Sequence, residues 1–285
     1  YNLNLSANTI GWGANRSPIN FYNPAYILNV NRFSSDNDRI LANAYAQVKF
    51  MEGLTFRTVY GIDHLGVTNK EFRGALHGDG VQFGGAAQNV QQNFRRWNWQ
   101  NILQYDKTIA DDHNLNVLLG NEQQYSFGES WGADRRTQTD PFYDEYQGGY
   151  SNIVPSGNSF GENYLVSFFG RINYDYRKKY FVSINARRDG YSAFSPENKY
   201  GNFGGVSAGW TLSEENFWRS SSIANTINNL KIRGSYGIVG NNQGISDYAF
   251  YSFFNSGLYG PGASIFFSQA GNRNLKWETS TKLDL

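Results

Sequence analysis

The side chains that could carry chemistry in this chain are few and scattered. Its three histidines, His64, His77 and His113, have no spacing that would gather them as metal ligands. The adjacent acids Glu214 and Glu215 could form an acid–base pair, but acids at the start of a short helix are better explained by the helix dipole. We therefore predict neither a metal site nor an acid–base site at these positions.

Other patterns also argue against catalysis. Asp36-Asn37-Asp38 lacks the later glycine and glutamate of a calcium-binding EF-hand loop. No nucleophile-elbow, Walker or dinucleotide-binding motif occurs, and the absence of cysteine excludes disulfides and thiolate metal sites. The net charge of +1 gives no reason to expect nucleic acid as a partner. We predict that the protein is not an enzyme, has no catalytic or metal-binding residues and needs no cofactor.

The clearest pattern in the chain is the alternation of residues 164–187, YLVSFFGRINYDYRKKYFVSINAR. The even positions on both sides of Arg177-Lys178-Lys179 are apolar, aromatic or glycine, whereas serine, asparagine, aspartate and arginine recur between them. Successive side chains of a β-strand point to opposite faces of the sheet. The stretch therefore predicts a long β-hairpin with one apolar face and one polar face.

Two features of this hairpin favour a membrane barrel over a soluble sandwich. Each arm has about ten residues or more, which is close to the span of a membrane strand. Tyr174, Tyr176 and Tyr180 lie near the tight turn, and tyrosine suits a membrane interface because one end of its ring is apolar and the other polar. Val182 and Ile184 are then predicted to face lipid. A soluble all-β protein stays open as an alternative on this evidence.

Short and long connections alternate along the chain. The predicted tight turns are 51–53, 108–112 and 177–179. The predicted loops, of about 30 residues or more, are 63–92, 126–162 and 237–275. Short periplasmic turns and long extracellular loops are typical of outer-membrane barrels. The exception on the short side is 213–229, where Ser213 predicts the N-cap of a short helix.

We therefore predict an all-β fold, an antiparallel transmembrane β-barrel section with long extracellular loops and short periplasmic turns. About ten strands are expected, and these could close a small barrel or form part of a larger one. Residues 1–285 are expected to be part of one β-barrel domain, because both ends look cut and the first residues are no signal peptide.

Three segments resemble the SusC/RagA-type family of TonB-linked (TonB-dependent) outer-membrane transporters of Bacteroidota. Residues 180–217 are similar to its R-x-D-G-x-S-x-F loop, glycine-rich return to a G-W strand and S-E-E-x-F turn. Residues 230–248 are similar to S-Y-G-x-x-G-N-x-x-I-x-x-Y, and residues 274–285 to N-L-x-W-E-x-[ST]. Residues 1–125 resemble the family only in pattern. Tyr191 and Ala193 depart from the small and basic residues usual in the loop.

The resemblance implies a barrel of about 22 strands with a plug domain, which, like the signal peptide, is expected to be absent from this fragment. It implies TonB-dependent active import of oligosaccharides or peptides across the bacterial outer membrane. The implied partners are outer-membrane lipid, a SusD-like lipoprotein acting as lid, the substrate, and the TonB-ExbB-ExbD complex through an N-terminal part. Two alternatives stay open: a passive outer-membrane porin or adhesin, and a soluble all-β glycan-binding protein.

Two sets of residues are the candidate sites. The first set consists of charged and amide residues on polar strand faces, predicted to face the lumen: Arg171, Asn173, Asp175, Arg187, Lys231, Arg233 and Glu278. Ordinary lining of a wet lumen or contact with a plug would give the same pattern. The second set, in the predicted loop 237–275, is rich in aromatic and amide side chains: Asn241, Asn242, Gln243, Tyr248, Tyr251, Phe254 and Tyr259. Such aromatics need something to pack on, so they predict contact with a ligand or lid, or else a loop–loop core.

Overall fold

The computed structural model describes residues 3–4, 9–10, 24–75, 78–140, 142 and 144–285. The strands are β1 Leu3–Asn4, β2 Thr9–Ile10, β3 Arg32–Met51, β4 Leu54–Arg73, β5 Ala86–Ile109, β6 His113–Gln138, β7 Tyr150–Tyr176, β8 Tyr180–Tyr191, β9 Tyr200–Thr211, β10 Lys231–Asn241, β11 Phe253–Tyr259, β12 Gly262–Gln269 and β13 Glu278–Asp284. The helices are α1 Pro24–Val30 and α2 Asn216–Arg219, with 3-10 turns at Gly78–Phe83, Leu212–Glu214 and Ser222–Asn225. Among these residues, no helix has the length and apolar character needed to span a bilayer.

Nine of the described strands form one sheet in the order β13-β10-β9-β8-β7-β6-β5-β4-β3. From β3 to β10 each strand lies beside its neighbours in sequence, whereas β13 pairs with β10 past the separate hairpin β11–β12. The pairs with a defined register are antiparallel. The predicted antiparallel all-β fold is confirmed, with nine strands in the main sheet against the expected ten or so.

The predicted hairpin is formed by β7 and β8, with Ile172 opposite Ile184 and Asn173 opposite Ser183. We call the side that carries Ile172 and Ile184 the apolar face, and the side that carries Asn173 and Ser183 the polar face. Large apolar side chains of the apolar face are exposed rather than buried: Phe168 is 57% exposed and Ile184 49%. This is the reverse of a water-soluble sheet, in which such residues are buried, and it suits a sheet whose surroundings are apolar.

The three predicted tight turns are present. Ala110 and Asp111 both have positive φ, as do Arg177 and Lys178, which is the type I′ geometry whose twist matches that of paired strands. At the first turn Gly53 has φ 81°, and a side chain there would collide with the backbone carbonyl of Asp106. Glycine at this position therefore permits both the turn and the close approach of β5.

The strands extend well beyond their predicted ends, so the predicted loops 63–92 and 126–162 are wrong in their bounds. β4 continues to Arg73 and β5 begins at Ala86, which leaves residues 74–85 as the connection. Likewise, 139–149 connects β6 and β7. The stretch 11–38, whose asparagine, serine, glycine and proline residues predict a loop, contains α1 and the start of β3, and its residues 11–23 lie outside the described part. The parts of β4 to β7 that extend beyond the predicted ends have no continuous apolar face to signal a strand, yet they continue the sheet.

Contacts divide the chain into two units. Unit 1 consists of Tyr1–Leu41, Asp63–Arg96 and Phe127–Gly161. Its small core contains Phe72, Ala87 and Tyr150, with Val30 and Tyr146 packed against it. Burial of these side chains gives the long strand extensions a local core of their own.

Unit 2 consists of Ala42–Ile62, Trp97–Ser126 and Glu162–Leu285. Its core, Tyr191, Ala193 and Phe194, comes from the segment that resembles R-x-D-G-x-S-x-F. Phe194 packs on Trp277, with ring centroids 5.2 Å apart.

Hydrogen bonds join the same two segments. The Trp277 indole donates to the Lys199 carbonyl at 3.1 Å, and the Ser195 hydroxyl donates to the Arg273 carbonyl at 2.9 Å. We call this set of contacts between the β8–β9 connection and residues 273–277 the clamp. Tyr191 and Ala193, the departures from the family pattern, are thus core residues.

The connection between β9 and β10 contains the predicted short helix, α2. Its capping differs from the prediction, because Ser213 is buried in the preceding 3-10 turn and the N-cap position is taken by Glu215, which makes no side-chain cap bond. The Glu215 side chain is instead engaged with the sheet, as described below.

Candidate functional site

A first row of aromatic side chains crosses the apolar face of unit 2 on four consecutive strands. Its central member is Trp97 on β5, whose ring centroid lies 6.1 Å from Tyr60 on β4, 5.9 Å from Tyr125 on β6 and 5.8 Å from Tyr164 on β7. Sequence reasoning missed this row because its members are far apart along the chain. Each of them does lie at a position that alternation assigns to the apolar face of its strand, and this is the signal that could have revealed the row.

A second row lies nearer the short turns. The ring of His113 on β6 is 4.7 Å from Tyr176 on β7, Tyr176 is 6.3 Å from Tyr180 on β8, and Tyr180 is 6.2 Å from Trp210 on β9. Tyr174 belongs to the same row, since its hydroxyl lies 2.7 Å from His113 Nδ1. Tyr174, Tyr176 and Tyr180, which the sequence placed near the tight turn, therefore form one row with His113 on β6 and Trp210 on β9.

The two rows enclose a band of apolar side chains. On β7, Tyr164 marks the first row and Tyr174 the second, with Val166, Phe168 and Ile172 between them on the same face. Ten residues at about 3.3 Å each, on a strand tilted by roughly 40°, span about 25 Å. This is the height of the apolar band of outer-membrane barrels, which aromatic girdles flank on both sides.

A groove of about 1270 Å³ lies on the polar face near the short turns. It brings together four of the predicted lumen-facing residues: Asn173, Asp175, Lys231 and Arg233. Hydrogen bonds between strands order its floor. Asn114 donates to Asp175 at 2.9 Å, and the Ser183 hydroxyl donates to Asn173 Oδ1 at 2.6 Å. Because it combines amides with both signs of charge, the groove suits a polar rather than an apolar occupant.

Arg187 lies outside this groove, in a separate ionic cluster on the polar face. Its Nε is 2.6 Å from Asp189 Oδ1, and its Nη2 is 3.1 Å from Glu122 Oε2 and 2.8 Å from Ser167 Oγ. Asn98 also donates to Glu122, at 2.9 Å. Sequence reasoning missed Glu122 as a partner because it stands 65 positions from Arg187; its even position on β6 was the signal for the polar face.

The other two predicted lumen-facing residues are in different settings. Arg171 is exposed and stands opposite Asn185 in the β7–β8 register. Glu278 opens β13, where it pairs with Asn241 and accepts a hydrogen bond from its side-chain amide at 3.0 Å. Glu278 is therefore joined to a member of the second candidate set rather than to the groove.

The second candidate set is divided between the base and the arm of a projecting hairpin. Tyr248 and Tyr251 lie at the base, where their carbonyls accept bonds from Gln269 Nε2 at 3.2 and 3.1 Å. Phe254 and Tyr259 lie on the arm, β11–β12, and are 63% and 87% exposed. Asn241, Asn242 and Gln243 form the end of β10 and the turn after it. The predicted loop 237–275 thus contains an ordered two-stranded hairpin with an exposed apolar surface.

Glu215 anchors the β9–β10 connection to the second aromatic row. Its carboxylate accepts hydrogen bonds from the Tyr180 hydroxyl at 2.6 Å, Trp210 Nε1 at 3.1 Å and Lys179 Nζ at 3.1 Å. These donors, the Tyr180 hydroxyl first, lower the pKa of Glu215 to about 2 because they stabilise its ionised form. This acid is therefore an acceptor beneath the aromatic row, and the simple helix-dipole interpretation was incomplete.

The structure offers no metal centre in the described part of the chain, where no three histidine or acidic side chains are placed to hold an ion. His64 lies within β4, and His113 contacts Tyr174 and Tyr176. His77 lies outside the described residues.

An antiparallel sheet with an exposed apolar band, two bordering aromatic rows and a hydrogen-bonded polar face is typical of transmembrane β-barrels. The family model described as TonB dependent receptor-like, beta-barrel, matches residues 1–285. The chain belongs to this family. Its members are outer-membrane receptors and transporters and not enzymes.

Individual relatives agree with this assignment. TonB-dependent receptor P3 of Formosa agariphila is 36% identical over 254 residues, which cover 87% of this chain and 25% of that protein. TonB-dependent receptor SusC of Bacteroides thetaiotaomicron is 32% identical over 192 residues, 63% of this chain and 18% of SusC. The solved structure of the RagAB peptide transporter superposes with a TM-score of 0.80 at 24% identity, covering 91% of this chain and 28% of that one, and shares the fold. The chain thus spans a quarter or less of the curated relatives named here.

Proposed function

We propose that this chain is part of the barrel of a TonB-dependent transporter that actively imports oligosaccharides or peptides across the bacterial outer membrane. The observation that carries the proposal is the exposed apolar band between two aromatic rows, about 25 Å high, which matches the apolar core of that membrane. Membership of the TonB-dependent receptor family supports the energy source, and RagAB, a peptide transporter that shares the fold, supports peptides as one class of substrate.

The polar face supports a transport path through the interior of the barrel. The groove carries Asp175 together with Lys231 and Arg233, so it can meet both ends of a peptide as well as the hydroxyl groups of a sugar. Lys231 Nζ lies 3.7 Å from the Phe181 ring centroid, which holds the ammonium beside an apolar surface on which a substrate could also pack. We propose Asn173, Asp175, Lys231 and Arg233 as lumen residues of this path.

The projecting hairpin supports a contact outside the membrane. A two-stranded hairpin is marginally stable by itself, and here its base is fixed by Gln269 and by the bond from Asn163 to Asp247 at 2.8 Å. Leu258 and Tyr259 at its tip are 79% and 87% exposed. We propose that this arm, with Asn241, Asn242 and Gln243 beside its base, contacts the SusD-like lid lipoprotein or the arriving substrate.

We expect uptake by the full-length protein to depend on the TonB-ExbB-ExbD complex. Cells that produce it would be offered labelled oligosaccharides and labelled peptides in separate assays, with and without a functional TonB system. An active importer loses uptake to the level of cells without the transporter when TonB is removed. Uptake that continues unchanged without TonB would instead support a passive porin.

Replacing residues 254–267 of the full-length protein by a short Gly/Ser turn should leave barrel assembly intact, because the clamp and the hairpin base are untouched. Lid association or uptake should fall sharply, since the exposed aromatic surface is lost. Co-purification of the lid lipoprotein and substrate uptake are the measurements. Asn255→Ser on the same arm is the matched control and should behave like the wild type. Normal uptake and lid capture by an assembled trimmed protein would exclude the proposed contact.

A further inference from the structure

The connection between β9 and β10, residues 212–230, differs from the other connections at the short-turn end of unit 2. Those at 52–53, 110–112 and 177–179 are tight turns, whereas this one contains α2 and two 3-10 turns. A transporter does not need such a structure merely to reverse the chain, because two residues suffice elsewhere.

The first half of this connection is attached to the apolar face. The Glu215 carboxylate is held by Tyr180 and Trp210, both of which lie on the apolar side of their strands and face each other in the register. None of the residues 212–230 lines the groove on the polar face. The connection therefore leaves the sheet on the side that carries the apolar band, directly beneath the second aromatic row.

Three large apolar side chains of the connection are exposed. Phe217 is 61% exposed, Ile223 51% and Ile227 44%. The connection is nevertheless internally ordered, since Trp218 Nε1 donates to the Ile227 carbonyl at 3.1 Å and the Ile227 N–H donates to the Ile223 carbonyl at 2.8 Å. Backbone groups satisfied in this way tolerate a surrounding that is poor in water.

We propose that residues 212–230 form a membrane-interface foot, which inserts Phe217, Ile223 and Ile227 among the phospholipids at the edge of the apolar band. The occupant of this apolar surface is lipid, because the surface continues the second aromatic row and is joined to it through Glu215. Serine and asparagine residues such as Ser220, Ser222 and Asn225 supply the polar side that an interfacial segment keeps in water. The foot fixes the depth of β9 and β10 in the membrane, and the inference rests on the outer-membrane location proposed above.

Spin labels at single introduced cysteines test the foot in the full-length protein, reconstituted in vesicles of phosphatidylethanolamine and phosphatidylglycerol. Labels at Phe217 and Ile223 should be reached far better by oxygen, which dissolves in lipid, than by a water-soluble nickel chelate. A label at Asn225, an exposed polar residue of the same connection, should show the opposite preference. This matched control excludes insertion driven by the label itself.

Labels at Ile184 and Asn185 separate this inference from the proposed function. If Ile184 is accessible to oxygen while Phe217 and Ile223 favour the nickel chelate, the foot is overturned and the membrane barrel stands. If Phe217 and Ile223 are shielded from both reagents, a protein partner or a second copy covers them, and the foot is likewise overturned. If Ile184 itself favours the nickel chelate and behaves like Asn185, the membrane location fails, and the foot fails with it.

Discussion

Arginine in place of Ile184 should destabilise the folded barrel by about 2–4 kcal/mol, because it puts a charge on the lipid side well inside the apolar band. Ile184 is half exposed on the apolar face and lies four residues from Tyr180 in the aromatic row. On a strand tilted by roughly 40°, this places it about 10 Å inside the band. Urea titration of the full-length protein in lipid vesicles measures the change.

Two neighbouring positions serve as controls for this prediction. Val182 stands opposite Tyr174 and therefore close to the aromatic row, so arginine there should cost less than at Ile184. Ser183 faces the groove, and arginine there should cost about 1 kcal/mol through loss of its bond to Asn173. Equal costs at Ile184 and Ser183 would show that the assignment of the two faces is wrong.

Removing the guanidinium in Arg187→Ala should destabilise the barrel by about 3 kcal/mol, because it leaves two nearly buried carboxylates without their cation. Glu122 and Asp189 are only 9% and 8% exposed, and both contact Arg187. The same vesicle titration measures this loss. Adding Glu122→Gln to the variant should recover part of the stability, since one of the unpaired charges disappears.

Arg171→Ala is the matched control for the cluster. Arg171 is an exposed arginine on the same face of the preceding strand, so its removal should change stability by no more than about 0.5 kcal/mol. An effect of Arg187→Ala as small as that of Arg171→Ala would mean that water already solvates Glu122 and Asp189. The ionic cluster would then have no stabilising role.

Alternation predicted the strands only where one face is apolar. Residues such as Ile172 and Ile184 signal a strand because their neighbours in sequence are polar, and the structure contains β7 and β8 with that facing. Beyond the band the signal ends: 63–73 reads DHLGVTNKEFR, with polar residues at both parities, yet it continues β4. Pairing there depends on backbone hydrogen bonds, which require no alternation of apolar and polar side chains and so leave no pattern in the sequence.

The sequence could predict only the face of its strand on which each site residue lies. The alternation assigned Asn173, Asp175, Lys231 and Arg233 to polar strand faces, and the structure gathers these four in one groove. The alternation could not separate these four residues from Arg187, because the partners of Arg187 depend on the registers of β6, β7 and β8. The projecting hairpin was concealed for a related reason, because β11 and β12 carry apolar side chains on both faces and, among the strands that the structure describes, pair with each other and not with the main sheet.

The clamp has a consequence for the order in which the chain assembles. Strands β4 to β10 each pair with the strand preceding them in sequence, so each pairing closes a short loop at a small entropic cost. β13 must instead pair with β10 although the whole segment that contains β11 and β12 separates the two strands in sequence. The bond from Trp277 to Lys199 reaches back 78 positions, to a connection that folds with β8 and β9. We expect that connection, once formed, to act as a docking template that selects the register of β13 before its own ladder with β10 is complete.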